Sequence, residues 1–207
     1  MSLFIKLCGL KTDADVETAV EAGADAVGFV LTPSSRQIAL FEAAKLRRLL
    51  PESVLAVAVF NDPSPNLIEQ ALEEVAPDLV QVEARNGTGV PIQKFLPVVL
   101  NGNGAPEAVM QALELTESGM VLVDTAEKGG TGRRSDWGRL ARLKVRDRVI
   151  VAGGLNPGNV GEAISTIGPL GVDVSTGIER RPGEKDPVLM RQFVRAARAA
   201  EVRGASG

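Results

Sequence analysis

The chain has 207 residues, 44% of them apolar, and a formal net charge of -3. This length can bury one hydrophobic core, so we expect a single domain over residues 1–207. The charges are spread along the chain, which argues against a nucleic-acid or membrane partner. One cysteine cannot form an internal disulfide, the first residues do not resemble a cleavable leader, and no apolar run is long enough to span a membrane. We therefore expect a cytoplasmic protein that acts on a small molecule.

Histidine is absent from the sequence. Its absence removes the commonest general acid-base group and a common metal ligand, and it excludes Ser-His and Cys-His nucleophile pairs. The sequence also has no Walker loop and no dinucleotide-binding fingerprint. Any proton transfer must therefore rely on carboxylates, cysteine or lysine.

Short apolar runs alternate with longer amphipathic stretches, which predicts repeated strand-helix units. The predicted strands, in chain order, cover residues 3–9, 25–31, 54–60, 79–84, 96–102, 119–125, 148–154 and 171–177. The predicted helices that follow them cover residues 13–22, 40–50, 65–75, 105–115, 136–143, 157–167 and 187–200, and the segment 85–94 follows the fourth strand. The fourth unit is the weakest, because residues 85–94 contain two glycines and a proline and leave little room for a helix.

Eight such units in about 200 residues predict a compact α/β fold, a single-domain (β/α)8 TIM barrel. Helix starts are predicted at the capping residues Thr12, Ser64, Ser135 and Asn156, the last followed by proline at the first helical position. We expect residues 1–2 and 203–207 to be frayed ends.

The carboxyl ends of the strands are where a parallel barrel places its chemistry. Cys8 ends the first strand; a lone cysteine is more often buried packing, but this position makes it a candidate catalytic base. Asp124 ends the sixth strand, where it is either a loop cap or the acid partner of Cys8. Arg36, in the loop after the second strand, is either a solvated cation or a fork of donors for a carboxylate.

Two glycine-containing loops follow the seventh and eighth strands. Gly153 and Gly154 belong to the first loop, and Ser175, Thr176 and Gly177 to the second. Each loop alone is compatible with a tight turn. Together they predict a phosphate site, because barrels commonly bind phosphate after strands seven and eight, where glycines let backbone amides approach an anion.

Several motifs carry a resemblance to one family, in the same order along the chain. They are Lys6-Leu7-Cys8-Gly9, residues 23–30, Ser35-Arg36, residues 121–125, 129–132 with Asp136-Trp137, 153–160, 171–179, and Pro182-Gly183 with Lys185-Asp186. The chain thus resembles the phosphoribosylanthranilate isomerases of tryptophan biosynthesis over nearly its whole length. The resemblance implies a (β/α)8 barrel that uses no cofactor or metal.

The reaction implied by the resemblance is an Amadori rearrangement of N-(5-phosphoribosyl)anthranilate to 1-(2-carboxyphenylamino)-1-deoxyribulose 5-phosphate. Asp124 would protonate the ring oxygen, so that the sugar opens to a protonated Schiff base. Cys8, as a thiolate, would then remove the C2' proton. Arg36 would hold the anthranilate carboxylate, and Gly154, Thr176 and Gly177 would hold the phosphate with their neighbouring amides.

The glycine-rich segment after the sixth strand is interpreted as a mobile lid, formed by Gly129, Gly130, Thr131 and Gly132. An ordinary flexible connection is the alternative. Lys6 and Asp173 lie before the ends of the first and eighth strands, which become neighbours when the barrel closes. We therefore predict an ion pair between them inside the barrel.

Three positions depart from the family pattern. Glu83 stands where histidine is usual, Asn101 lies in a segment that usually contains lysine, and Lys11-Thr12 replaces a threonine directly after the first motif. Glu83 would place a negative charge near an anionic substrate, which costs affinity unless a cation or protonation offsets it.

Other functions remain open. The histidine-pathway aminoaldose isomerase would have an aspartate in place of Cys8, and a pentose-phosphate epimerase normally holds a metal with histidines. A noncatalytic phosphometabolite-binding barrel is a further alternative, although the presence of both Cys8 and Asp124 argues against it. Both a monomer and a homodimer are compatible with the sequence.

Overall fold

Eight parallel strands close into a barrel in chain order, with β1 hydrogen-bonded to both β2 and β8. The computed structural model describes residues 2–87, 89–100, 106–125 and 137–204, apart from the side chains of residues 139 and 202–204. The strands are β1 Phe4–Cys8, β2 Ala26–Val30, β3 Leu55–Val59, β4 Leu79–Glu83, β5 Phe95–Val99, β6 Val121–Asp124, β7 Val149–Ala152 and β8 Gly171–Val174. Each overlaps a predicted strand, so the predicted TIM barrel is confirmed.

Seven helices accompany the strands in the described part of the chain. They are α1 Asp13–Ala22, α2 Leu40–Arg47, α3 Pro65–Glu74, α4 Pro106–Glu114, α5 Trp137–Ala141, α6 Val160–Ile167 and α7 Pro187–Gly204. Between β4 and β5 the described residues form only the 3-10 turn Ala84–Asn86, as predicted from the glycines and the proline. Helix α7 includes Arg203 and Gly204, and residues 205–207 lie outside the described part. The fraying predicted for residues 1–2 and 203–207 stays a prediction. No helix of the described residues is both long and apolar enough to cross a membrane.

The predicted helix caps have different outcomes. Thr12 caps α1 by accepting a hydrogen bond from the Asp15 amide, and Ser64 caps α3 in the same way. The prediction for Asn156 is wrong, since α6 begins only at Val160. The Asn156 side chain instead accepts from the amide of Gly158 at 2.8 Å, and its backbone carbonyl accepts from the amides of Asn159 and Val160, so that residues 157–159 form a turn before the helix. Ser135 lies outside the described residues.

The hydrophobic core has two layers because side chains alternate between the two faces of each strand. A large outer layer lies between the barrel and the helices, and a smaller inner layer fills the barrel with side chains such as Val57, Leu96, Leu122 and Ile150. Cys8 belongs to the inner layer. The strand side chains available for function are therefore those on the same face as this inner layer, which points into the barrel.

A two-stranded antiparallel hairpin follows β8, which the sequence did not predict. It consists of β9 Glu179–Arg181 and β10 Glu184–Lys185, and the 3-10 turn Thr176–Ile178 connects it to the barrel. Its turn packs on the loop that carries Arg36, since a Cβ atom added at Gly183 would lie 2.1 Å from the carbonyl oxygen of Ser35. The hairpin thereby brings two charged side chains to the mouth of the barrel.

Candidate active site

Cys8 lies at the end of β1, buried in the inner layer. Its neighbour in register on β2 is Gly28, and a Cβ atom added there would lie 2.8 Å from the Cys8 sulfur. Burial raises the pKa of Cys8 above the ordinary value of 9.0, although the ammonium of Lys6 counteracts part of this effect. The resting group at neutral pH is therefore a thiol, and the thiolate implied by the family resemblance has to be generated during the reaction.

The predicted ion pair between Lys6 and Asp173 is confirmed. The two residues are register partners on β1 and β8, and Lys6 Nζ lies 2.8 Å from Asp173 Oδ1. Both side chains are buried. Burial alone would lower the pKa of Lys6, but the negative charges of Asp173 and Cys8 outweigh it and raise the pKa above 10.5. Lys6 is consequently an ammonium group at every physiological pH.

Asp124 ends β6 in register with Ala152 of β7. It is two residues after the inner-layer residue Leu122, so the alternation of the strand directs it to the inside of the barrel. The next residue, Thr125, donates through both its amide and its hydroxyl to the Ala152 carbonyl, at 3.0 and 2.8 Å. Because β6 and β1 are not adjacent, Asp124 and Cys8 approach the barrel mouth from separate strands.

Arg36 lies across the end of β1, where Gly9 makes room for it. Gly9 has a left-handed φ of 79°, and a Cβ atom there would lie 2.8 Å from Arg36 Cδ. The guanidinium binds Glu179 through two parallel hydrogen bonds, Nε to Oε1 at 2.7 Å and Nη2 to Oε2 at 2.8 Å. Arg36 is thus a fixed part of the rim, and the interpretation as a solvated cation is wrong.

Glu179 and Lys185 complete this rim, and no role was assigned to either from the sequence. The ammonium of Lys185 is buried and donates to Glu179 Oε1 at 2.8 Å and to the Ser175 carbonyl at 2.9 Å. Burial would raise the pKa of Glu179, but hydrogen bonds from Arg36 and Lys185 outweigh it and lower the pKa below 4.5. The only sequence signal was that both residues belong to motifs that carry the family resemblance.

The two predicted phosphate loops pack against each other. Gly153 and Gly154 have left-handed φ angles of 92° and 67°, which favour glycine. A Cβ atom added at Gly177 would lie 1.9 Å from the Leu155 carbonyl oxygen, so only glycine permits this contact. Gly154 and Thr176 are exposed to solvent. The structure thus brings these loops together, and the carbonyl of Ser175 accepts a hydrogen bond from the buried ammonium of Lys185.

Glu83, which stands at the usual histidine position, ends β4. It lies four residues after the inner-layer residue Leu79, so the strand alternation directs it to the inside of the barrel as well. Arg85 Nη2 approaches Glu83 Oε2 to 2.9 Å, which supplies the compensating cation that the sequence left open. The Arg85 side chain is 76% exposed, so the compensation is weak. The proposed lid residues Gly129, Gly130, Thr131 and Gly132 lie outside the described residues, as does Asn101.

Comparison with known proteins identifies the family of this chain. A family model described as N-(5'phosphoribosyl)anthranilate (PRA) isomerase matches residues 5–196. The N-(5'-phosphoribosyl)anthranilate isomerase of Desulforudis audaxviator is 42% identical over 203 residues, which cover 95% of this chain and 98% of that protein. Among solved structures, the phosphoribosyl anthranilate isomerase of Thermotoga maritima is 33% identical with a TM-score of 0.80, covering 96% of this chain and all of the other.

A second solved structure is a phosphoribosyl anthranilate isomerase in complex with reduced 1-(o-carboxyphenylamino)-1-deoxyribulose 5-phosphate. It is 32% identical with a TM-score of 0.78, and covers 96% of this chain and all of the other. The family model covers far more than half of the chain, and the relatives match it nearly end to end. The chain therefore belongs to the phosphoribosylanthranilate isomerase family.

Proposed function

We propose that the protein isomerises N-(5'-phosphoribosyl)anthranilate to 1-(o-carboxyphenylamino)-1-deoxyribulose 5-phosphate. The observation that carries the proposal is the placement of Cys8 and Asp124 on the inner ends of β1 and β6, at the same end of the barrel as the Arg36 rim and the paired glycine loops. The solved relative that holds the reduced product analogue supports the same ligand here.

The substrate has an anionic group at each end, and the barrel mouth offers two places for them. The phosphate binds at the loops of Gly153-Gly154 and Ser175-Thr176-Gly177, whose glycines leave the backbone amides accessible. The anthranilate carboxylate binds at the donors of Arg36 that Glu179 does not use. The ribose is then held above the inner layer, between Cys8 and Asp124.

The reaction needs one acid and one base. Asp124 donates its proton to the ring oxygen as the bond from C1' to that oxygen breaks, and the anilino nitrogen supplies the electron pair that forms a cationic iminium. Cys8, whose thiol has released its proton to solvent, then takes the C2' proton as a thiolate, and the C–H electrons form the C1'–C2' double bond of an enolamine and neutralise the nitrogen. The enolamine tautomerises to the ketone. The iminium makes the C2' proton acidic and its positive charge lowers the pKa of the thiol, which compensates for the burial of Cys8.

The test is a fluorescence assay that follows the loss of phosphoribosylanthranilate, with the product identified by mass and chromatography. We expect turnover without added metal. The histidine-pathway aminoaldose serves as the parallel substrate. Preferential turnover of that compound, or binding of phosphorylated ligand without turnover of either, would contradict the proposed function and favour the other phosphosugar isomerase or the noncatalytic barrel.

Glu179→Gln is expected to raise KM about tenfold or more, while kcat changes little. The substitution keeps a hydrogen-bond acceptor but removes the charge that orients Arg36 and balances Lys185, and a charge-assisted hydrogen bond contributes about 1.5–3 kcal/mol. The measurement is steady-state kinetics. Glu184→Gln on the same hairpin is the matched control, since Glu184 pairs with the exposed Arg180 and Arg181. An equal KM in both variants would show that Glu179 does not position the guanidinium.

Arg85→Ala is expected to raise KM about twofold to fivefold, because it leaves the Glu83 carboxylate uncompensated at the mouth and exposed pairs contribute up to about 1 kcal/mol. Adding Glu83→Gln to this variant should restore the parent KM, since no negative charge then needs compensation. Arg191→Ala is the control, because Arg191 pairs with Glu21 elsewhere on the surface. A KM that stays raised in the double variant would mean that Arg85 acts independently of Glu83.

A further inference from the structure

Lys6 lies directly beneath the proposed catalytic base inside the barrel. Lys6 and Cys8 are two residues apart on β1, so their side chains project from the same face of the strand. Gly28 is the register partner of Cys8 on β2, and a Cβ atom added at Gly28 would lie 2.8 Å from Cys8 Sγ and 3.1 Å from Lys6 Nζ. The sulfur and the ammonium nitrogen therefore occupy the space above one glycine, within about 6 Å of each other, a range in which a charge shifts a neighbouring pKa.

We propose that Lys6 is a positioning residue whose ammonium, held by Asp173 and accommodated by Gly28, stabilises the thiolate form of Cys8. This inference rests on the proposed function, in which Cys8 is the base. Asp173 accepts one hydrogen bond from Lys6 Nζ, at 2.8 Å, and an ammonium group has further N–H donors. Since the pair is buried, its field at the sulfur is screened little by solvent.

The other cations around Cys8 lie on the rim above it. Lys185 of β10 and Arg36 of the loop after β2 also interact electrostatically with Cys8, but both hydrogen-bond to the carboxylate of Glu179 on β9. Asp173 of β8 opposes thiolate formation, and Asp124 stands at the mouth on β6. Lys6 is the cation that lies below the sulfur, on the side away from solvent. Its charge lowers the pKa of Cys8, whereas the charge of its partner Asp173 raises it.

This opposition separates the proposed role from a purely structural one. Lys6→Met removes the stabilising positive charge and should raise the pKa of Cys8, whereas Asp173→Asn removes the opposing negative charge and should lower it. The double variant Lys6→Met/Asp173→Asn leaves no unpaired buried charge, and its Cys8 pKa should lie above that of the parent but below that of Lys6→Met. A structural ion pair would shift the pKa in no such order.

The experiment is an ultraviolet titration of the thiolate in the substrate-free protein. Cys8 is the only cysteine and the chain has no tyrosine, so no second thiolate and no tyrosinate contribute to the signal. We expect the apparent pKa to fall by about one unit or more in Asp173→Asn and to rise in the double variant. Circular dichroism at each pH verifies that the variants are folded, and the double variant provides the result if Lys6→Met alone does not fold.

An apparent pKa that is the same in the parent, Asp173→Asn and the double variant would overturn the role of Lys6. Turnover of phosphoribosylanthranilate by the parent protein distinguishes this failure from failure of the proposed function. Turnover with an unshifted titration overturns the Lys6 inference alone. The predicted titration order without turnover supports the coupling between Lys6 and Cys8 and contradicts the proposed isomerase activity.

Discussion

Cys8→Ser and Asp124→Asn are each expected to lower kcat by about 10²- to 10⁴-fold, the usual contribution of a positioned acid or base. Serine has nearly the size of cysteine, but its hydroxyl is far too weak an acid to supply a base near neutral pH. Asparagine preserves the shape of Asp124 but has no acidic proton to donate to the ring oxygen. KM should change little, because the phosphate and carboxylate contacts are made elsewhere. The measurement is the fluorescence assay under substrate saturation.

The matched control for the acid is Asp147→Asn, an exposed aspartate in the turn before β7, at the opposite end of the barrel. It should retain the parent kcat, and thermal unfolding of all variants should show intact folding. Robust turnover by both Cys8→Ser and Asp124→Asn would contradict the proposed roles of Cys8 and Asp124 as base and acid. Loss of activity in only one of them would leave the other residue outside the proton transfers.

Lys6→Ala is expected to lower the free energy of unfolding by about 3–5 kcal/mol, because it leaves the buried carboxylate of Asp173 without its cation. In the double variant Lys6→Met/Asp173→Asn both charges are replaced by groups of similar shape, so its stability should lie much closer to that of the parent. Denaturant unfolding measures both values. Lys45→Met is the control: Lys45 pairs with Asp13 at 2.9 Å, but these side chains are 65% and 50% exposed, and loss of the pair should cost less than about 1 kcal/mol.

The pH dependence of this stabilisation follows from the raised pKa of Lys6. A group whose pKa is higher in the folded state stabilises the fold fully below its unfolded value of 10.5, and this stabilisation disappears as the pH rises through the raised value. Above neutral pH, the stability difference between the parent and the double variant should therefore stay constant and change only in strong alkali. A change between neutral pH and about pH 9 would contradict the assignment of Lys6 as a buried ammonium.

Most of the barrel could be predicted because its elements depend on local patterns. The alternation of side chains and the apolar runs predict the eight strands, and Thr12 and Ser64 cap the helices that follow them. Asn156 shows where this reasoning fails. An asparagine before a proline can cap a helix or close a turn through its own side chain, and here a turn over residues 157–159 precedes α6.

The sequence by itself determined the barrel, the strand ends that bear Cys8 and Asp124, and the glycine loops, since strand order and periodicity suffice to place them on one rim. Tertiary structure alone decided what surrounds these groups. Glu179 reaches Arg36 across 143 residues of sequence through a hairpin with no predicted strand pattern. The protonation of Cys8 likewise depends on burial and on Lys6 above Gly28, because a pKa depends on desolvation and neighbouring charges, which are properties of packing in three dimensions.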